Sequence, residues 1–160
     1  MSRSACKDGL MTTAIQDTYP EDFSHCFGCG RNNEHGHQIK TFAAGEHAIT
    51  EYEPAPYYLG GGQVAYGGVI ASIIDCHCAG TAAIAWMRAN DMAVGEEESP
   101  RFVTARLEVD YLQPTPIGPW RITGVAEEIG ARKVIVAAEL SADGRVTVRG
   151  RAVMVKITAP

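Results

Sequence analysis

GGGQVAYGGVIASIIDCHCAGTAAIAW, residues Gly60 to Trp86, runs from a glycine-rich turn into a long apolar helix, with neither proline nor charge before Asp75. Glycines at the entry let the backbone approach a ligand closely. The first helical N–H groups, those of Gly67 and Gly68 among them, lack intrahelical acceptors and offer a place for a carbonyl oxygen or an oxyanion. Asp75 is the only acidic residue between Glu53 and Asp91. At about 100° per residue, Val69, Ile70, Ile73, Ile74, Ile84 and Met87 form one broad stripe, with Asp75 nearly opposite among Ala71, Ser72, Cys78, Ala79, Ala82 and Trp86. Such a helix, bulky on one side and made of small residues on the other, is expected to be buried all round. Its carboxylate must then be paired, hydrogen-bonded or shifted in pKa, because burying an isolated charge is costly. An Asp satisfied by a neighbouring Thr, Ser or Arg for purely structural reasons meets the same requirement, so position alone leaves both readings open.

Asp75 lies eight residues beyond Gly67, about 12 Å along the helix axis at ~1.5 Å per residue. One helix cannot offer both groups to one carbonyl. If they serve one site, a second copy of the chain, packed antiparallel across the small-residue side, supplies one of them, and a two-fold dimer makes two such sites.

The 160 residues, 46% of them hydrophobic, suffice for one domain with a real core. Residues 1–22 read as a flexible lead-in or an arm over the body, with a short helical stretch around Met11 to Asp17 and little function. Residues 23–160 form the domain. A net charge of −5 and a pI near 5.5 argue against nucleic acid or an anionic membrane as partner. Five cysteines without a secretory leader suggest reduced thiols and a cytoplasmic setting. The apolar run after Tyr66, interrupted by Asp75 and His77, suits a core helix better than a membrane span.

Around the helix the pattern is β. Ile39 to Tyr52 suggests two short strands about a turn at Ala44 to Glu46. Val103, Ala105, Leu107, Val109 and Tyr111 alternate with Thr104, Arg106, Glu108 and Asp110, the period of a half-buried strand. Trp120–Glu128, Lys133–Leu140 and Val146–Ile157 continue the sheet, with a hairpin signal at Asp143-Gly144 and a weaker one at Gly130-Ala131. An antiparallel sheet wrapped round one long helix is an α+β domain. Simple alternation puts Thr104 on the polar face, so that reaching Asp75 requires a bulge, a strong twist or a subunit interface.

His25-Cys26-Phe27-Gly28-Cys29-Gly30, followed by His35 and His37, invites a metal reading. Zinc sites generally pair a Cys-x-x-Cys with a second Cys-x-x-Cys or with histidines three to five residues apart, which His35 and His37 are not. The preferred reading is a glycine turn whose cysteines are small buried hydrophobes. His77 reads as a satisfied core histidine. Tyr57, Tyr58 and Leu59 line a ligand groove or simply pack at the helix entry.

The order of the glycine turn, Tyr66-Gly67-Gly68, Asp75 and the following strands resembles the hotdog-fold acyl-CoA thioesterases of the PaaI-like and THEM-like group. Cys26-Phe27-Gly28-Cys29-Gly30 with Asn33 and Gly36, and Asp110-Tyr111-Leu112-Gln113-Pro114-Thr115-Pro116, extend the likeness over about Cys26 to Ile157. The resemblance implies a hotdog fold and a homodimer or dimer of dimers. It implies hydrolysis of an acyl-CoA with no metal and no cofactor beyond the coenzyme A of the substrate. Gly67 N–H would hold the thioester carbonyl, Asp75 would act as general base or nucleophile, and Thr104 would orient the attacking water. The chain departs from the group in carrying Tyr66 where His is common and Gly60 to Gly62 where an amide-bearing residue is common. Gln63 is the residue placed to supply that amide. Gly60, Gln63, Tyr66 and Gly68 are thus candidate substrate-binding residues. Arg132 and Lys133, after the Gly130 turn, are the local basic pair for coenzyme A phosphates, with Arg145, Arg149 and Arg151 as a second group. A hotdog hydratase or dehydratase, and a non-catalytic acyl-CoA-binding dimer, are the alternatives.

Overall fold

A computed structural model describes residues 11–159; Cys6 and the first ten residues of the expected lead-in lie outside the described residues. The α+β architecture expected from the sequence is the one the chain adopts. Six strands form a single antiparallel sheet: β1 (Thr41–Ala44), β2 (His47–Tyr52), β3 (Arg101–Tyr111), β4 (Trp120–Ile129), β5 (Lys133–Ala142) and β6 (Arg145–Ile157). Their order is β1-β2-β4-β5-β6-β3, so β1 and β3 are the edge strands, and the Met11 N–H donates to Ala43 of β1 at 2.9 Å. The one long helix, α1 (Gly67–Ala89), touches every strand. It is apolar and long enough to cross a membrane by length and composition, but here its bulky residues are the middle of the core.

Helix α1 starts where the run of glycines ends. Tyr66 is its extended N-cap, and the carbonyl of Tyr66 accepts the N–H groups of Val69 and Ile70 at 3.1 and 3.2 Å. The helix stops at Asn90, whose side-chain amide donates back to the Trp86 carbonyl at 2.8 Å, and Asp91 follows with φ +55°. Ile70, Ile73, Ile74, Ile84 and Met87 are buried against the sheet. The inward residues of β5, namely Val134, Val136, Ala138, Leu140 and Ala142, meet them at the period-two spacing that a half-buried strand dictates.

In two places the structure departs from the sequence reading. Helix α1 is not buried all round. Gly68 is exposed, and Ala71, Ser72, Asp75, Ala79 and Trp86 are half-buried, so a stripe of mostly small residues lies open along one side of the chain. The phase of β3 is also reversed in its first half. Phe102 is buried and Thr104 turns to the helix, while Val103 and Ala105 face out. The cause is a bulge. Thr104 pairs with Met154 and Arg106 with Val153, which leaves Ala105 as an extra residue. Beyond it Leu107 and Val109 recover the expected inward side and pack on the core, because one extra residue exchanges the two faces of a strand.

The segment before the domain is part of the body. Ile15 and Gln16, at the start of a 3-10 turn (Ile15–Thr18), are buried. Gln16 donates to the Thr41 hydroxyl at 3.0 Å and accepts the Thr41 N–H at 2.8 Å. From there a buried polar chain runs through Thr41, Thr50 at 2.9 Å and His77 Nδ1 at 2.8 Å. It joins this segment, β1, β2 and α1 through groups that satisfy one another, as burial demands.

Candidate active site

Asp75 stands on the wall of a groove of about 440 Å³ between α1, the start of β3 and the Tyr19–Cys29 segment. Its Oδ1 accepts a hydrogen bond from the Thr104 hydroxyl. The bulge at Ala105 is what turns Thr104 inward, so an expected polar-face residue meets the helix carboxylate. Burial raises the Asp75 pKa above the usual carboxylate range, the Thr104 hydrogen bond opposes that rise, and a negative charge on Cys26 adds to it. A half-buried carboxylate with a raised pKa and one hydroxyl partner suits a group that takes up or passes on a proton.

The start of α1 forms a second, open groove of about 660 Å³, lined by Gly67, Gly68, Tyr111 and Leu112 among others. Among the described residues the N–H groups of Gly67 and Gly68 have no backbone acceptor. The Gly67 carbonyl is held by the Tyr111 hydroxyl at 2.7 Å, which fixes this turn to the far end of β3. Tyr66 is exposed and its ring folds back over Gly68, so closely that a Cβ there would lie 2.5 Å from the ring. The phenol therefore covers the helix end beside the free amides. Gly60 belongs to the same tight loop, its N–H donating to the Val64 carbonyl at 2.8 Å. Gln63, with φ +62°, is exposed and lines neither groove.

These two halves do not meet within one chain, since the rise of the helix keeps Asp75 about 12 Å from Gly67. The basic pair lies elsewhere again. The Gly130–Arg132 turn sits at the C-terminal end of α1, where the Trp86 indole N–H donates to the Ala131 carbonyl at 3.1 Å. Arg132 is exposed there, and Lys133 is ion-paired with Glu128 at 3.3 Å. From Trp86 back to Gly67 the helix measures roughly 28 Å, so neither basic residue reaches the Gly67 end of its own chain. Arg149 and Arg151 pair with Glu139 and Glu127, each at 2.9 Å, on the outer face of the sheet.

His77 is fully buried, its Nδ1 on the Thr50 hydroxyl at 2.8 Å and its Nε2 3.4 Å from the Thr81 hydroxyl. Burial pushes its pKa down to about 3. It is the core histidine expected, turned away from Asp75. Tyr58 stacks edge-on with His37 and Tyr57, whereas Tyr57 and Leu59 are exposed, and His37 Nδ1 lies 2.9 Å from the Tyr52 hydroxyl.

Three parts of the site escaped the sequence reading. Tyr19 and Asp22 line the Asp75 groove although they precede the expected domain. Cys26 is exposed on that groove, whereas Cys29 and Cys76 are buried, so the Cys-x-x-Cys turn is not a pair of hidden hydrophobes. The sulfurs of Cys26, Cys29 and Cys76 all lie within 4.8 Å of one another. The signal available in the sequence was the place of Cys76 directly beside Asp75.

The family model described as "Thioesterase superfamily" matches residues 62–149. A thioesterase superfamily protein from Shewanella loihica is 36% identical, with 88% of this chain and 100% of that one covered and a TM-score of 0.66. The Escherichia coli PaaI protein of the phenylacetic acid degradation operon is 16% identical, with 76% and 81% covered and a TM-score of 0.62. Protein smu.793 of Streptococcus mutans, solved bound to acetyl CoA, is 18% identical, with 70% and 82% covered and a TM-score of 0.57. The last two likenesses concern the fold alone. Among curated proteins none matches the sequence.

Proposed function

The chain belongs to the thioesterase superfamily and has its hotdog fold, and we propose that it hydrolyses an acyl-CoA or a related acyl thioester to free acid and thiol. The observation that carries the proposal is Asp75, half-buried on a groove and hydrogen-bonded by Thr104. In this reading Asp75 removes a proton from the attacking water, or attacks the carbonyl itself to form an anhydride that water then opens. Thr104 is a positioning residue that holds the carboxylate. The N–H of Gly67, at the positive end of a helix, takes the carbonyl oxygen as it gains charge. That N–H must come from a second copy, because one helix separates the two groups.

Two surfaces support such a pairing. The open stripe Gly68, Ala71, Ser72, Asp75 and Ala79 admits a second backbone closely, and β3, eleven residues long, pairs among the described residues with β6 alone and offers its other edge. A two-fold dimer, alone or doubled, is thus part of the proposal. Coenzyme A as the thiol draws on the same fold carrying acetyl CoA in the Streptococcus protein, with Arg132 as the cation for its phosphates and Lys133 beside it. Four described cysteines are free thiols, in keeping with the cytoplasmic setting expected from the sequence. Tyr66 and Gly68 would border the acyl carbonyl; Gly60 would shape that loop, and Gln63 would have to swing in from solvent.

The test is a thiol-release assay on a panel of acyl-CoAs of varied chain length and aromatic character. The wild-type protein should release thiol, and Asp75→Asn should reduce turnover by about a thousandfold or more while the sedimentation profile stays that of the wild type. Turnover at the wild-type level in Asp75→Asn sinks the proposal. Modification of the acyl group without free thiol would mark a lyase, and binding without either reaction would mark a non-catalytic dimer.

A further inference from the structure

We propose that Cys26, Cys29 and Cys76 form a three-thiolate site for a thiophilic d10 cation such as Zn2+, with a fourth position open to the Asp75 groove. His35 and His37, the histidines that follow the Cys-x-x-Cys turn, do not join the cluster, for His35 is exposed beside Glu34 and His37 is engaged by Tyr52. The third sulfur comes instead from α1, fifty residues along the chain.

Geometry is the first support. The three sulfurs lie within 4.8 Å of one another, and Cys26 and Cys76 are 3.8 Å apart. Tetrahedral zinc with bonds of about 2.3 Å sets its sulfurs about 3.8 Å apart, whereas a disulfide needs about 2.05 Å. The Cys26–Cys76 spacing is that of two sulfurs on one tetrahedral ion, with the Cys29 sulfur beside them.

The turn itself is built to reach Cys76. A Cβ on Gly28 would lie 2.2 Å from Cys76 Sγ, so only glycine lets the loop lie on the helix there. Gly30 passes so near the turn that a Cβ would lie 2.4 Å from Cys26 N, and its own N–H closes the turn onto the Cys26 carbonyl at 2.8 Å. A Cβ on Gly36 would lie 2.3 Å from the Phe27 carbonyl oxygen. The N–H groups of His37 and Ile39 donate to the carbonyls of Phe27 and Gly28 at 2.8 and 3.2 Å and stitch the far side down. Such close packing fixes the positions of the sulfurs before any ion arrives, which lowers the entropy lost on binding.

Electrostatics agrees. The thiols of Cys29 and Cys76 and the N–H groups of Gly28 and Cys29 converge on the Cys26 sulfur and favour its thiolate, while Cys29 and Cys76 are pushed up. Binding Zn2+ displaces whatever protons the three sulfurs carry, forms three zinc–sulfur bonds and leaves a net charge of minus one, with no change of oxidation state. Cys26 is exposed, so the fourth position faces the groove that Asp75 and His25 also line.

The experiment is a Co2+ titration of the full chain, reduced and kept free of oxygen. A three-thiolate site gives an intense sulfur-to-cobalt charge-transfer band in the near ultraviolet together with the visible bands of tetrahedral Co2+, and added Zn2+ abolishes both. Replacing one ligand at a time, in Cys76→Ala and in Cys26→Ser, should cut the charge-transfer intensity by about one third and weaken cobalt binding at least about tenfold. Cys78→Ala, also buried on α1, should leave the spectrum intact. Far-ultraviolet circular dichroism establishes that each variant is folded, and Cys26 is exposed, so its replacement keeps the test valid if Cys76→Ala does not fold. Absence of the charge-transfer band in the wild-type protein overturns the proposal, as does a band that Cys26→Ser leaves unchanged.

Discussion

Thr104 shows what one side chain contributes and how little of it periodicity reveals. Read by alternation it belongs to the solvent face; the extra residue Ala105 turns it to Asp75. A hydroxyl that positions a carboxylate should affect turnover more than affinity. Thr104→Val is expected to lower kcat roughly tenfold or more with KM little changed, and Thr104→Ser to restore it, as steady-state kinetics on one thioester would show. His77 makes a different point, since its role as a core residue was legible from its place on the bulky stripe. Its folded pKa, depressed to about 3 by burial, lies below the value of about 6.5 in an unfolded chain. Above about pH 6.5 both states are neutral and the group adds no pH dependence. Below that, the unfolded chain takes up a proton that the folded chain refuses, so stability falls by about 1.4 kcal/mol per unit until about pH 3. Urea unfolding at pH 7 and pH 5 should show the wild type losing roughly 2 kcal/mol more than His77→Gln over that interval.

Among the elements, α1 and the spans of the strands after it were legible because apolar spacing alone sets a 3.6-residue or a two-residue period. The bulge in β3 was not, because an inserted residue leaves no mark on composition, and the meeting of Cys76 with the Cys26 turn was not, because it joins segments far apart in the chain. Close approaches between elements explain several glycines that no pattern identifies. On β4, a Cβ at Gly124 would lie 2.6 Å from His77 Nε2 and 2.7 Å from the Thr81 hydroxyl. The ring is fully buried and tethered to Thr50, so it has nowhere to retreat. Gly124→Ala should therefore destabilise the protein by about 1–3 kcal/mol, although alanine is otherwise at least as well suited to a strand. Thermal or urea unfolding measures the change, and an unaltered midpoint would refute this packing account.

At the scale of the whole molecule, the proposed site is divided: each helix carries a carboxylate midway and free amides at its start, about 12 Å apart. A divided site makes a prediction that no single-chain site can meet. Gly67→Pro removes the amide at the first helical position, where proline is tolerated and where the extended Tyr66 suits the residue before a proline. That variant and Asp75→Asn should each be nearly inactive alone. When they are mixed under conditions that exchange subunits, about half of the dimers are hybrids, and each hybrid has one intact site, so about a quarter of wild-type activity should return. A mixture no more active than its components would show that the two groups do not work across an interface.

The inserted residue in β3 has a last consequence. Upstream of Ala105 the side of the strand that faces the helix carries a hydroxyl to a carboxylate, and downstream the same side carries Leu107 and Val109 into oil. A regular ladder of the same eleven residues would turn one of these halves outward, whereas deleting Ala105 sets Thr104 and Leu107 two positions apart, so a shortened chain would keep both its polar contact and its lining.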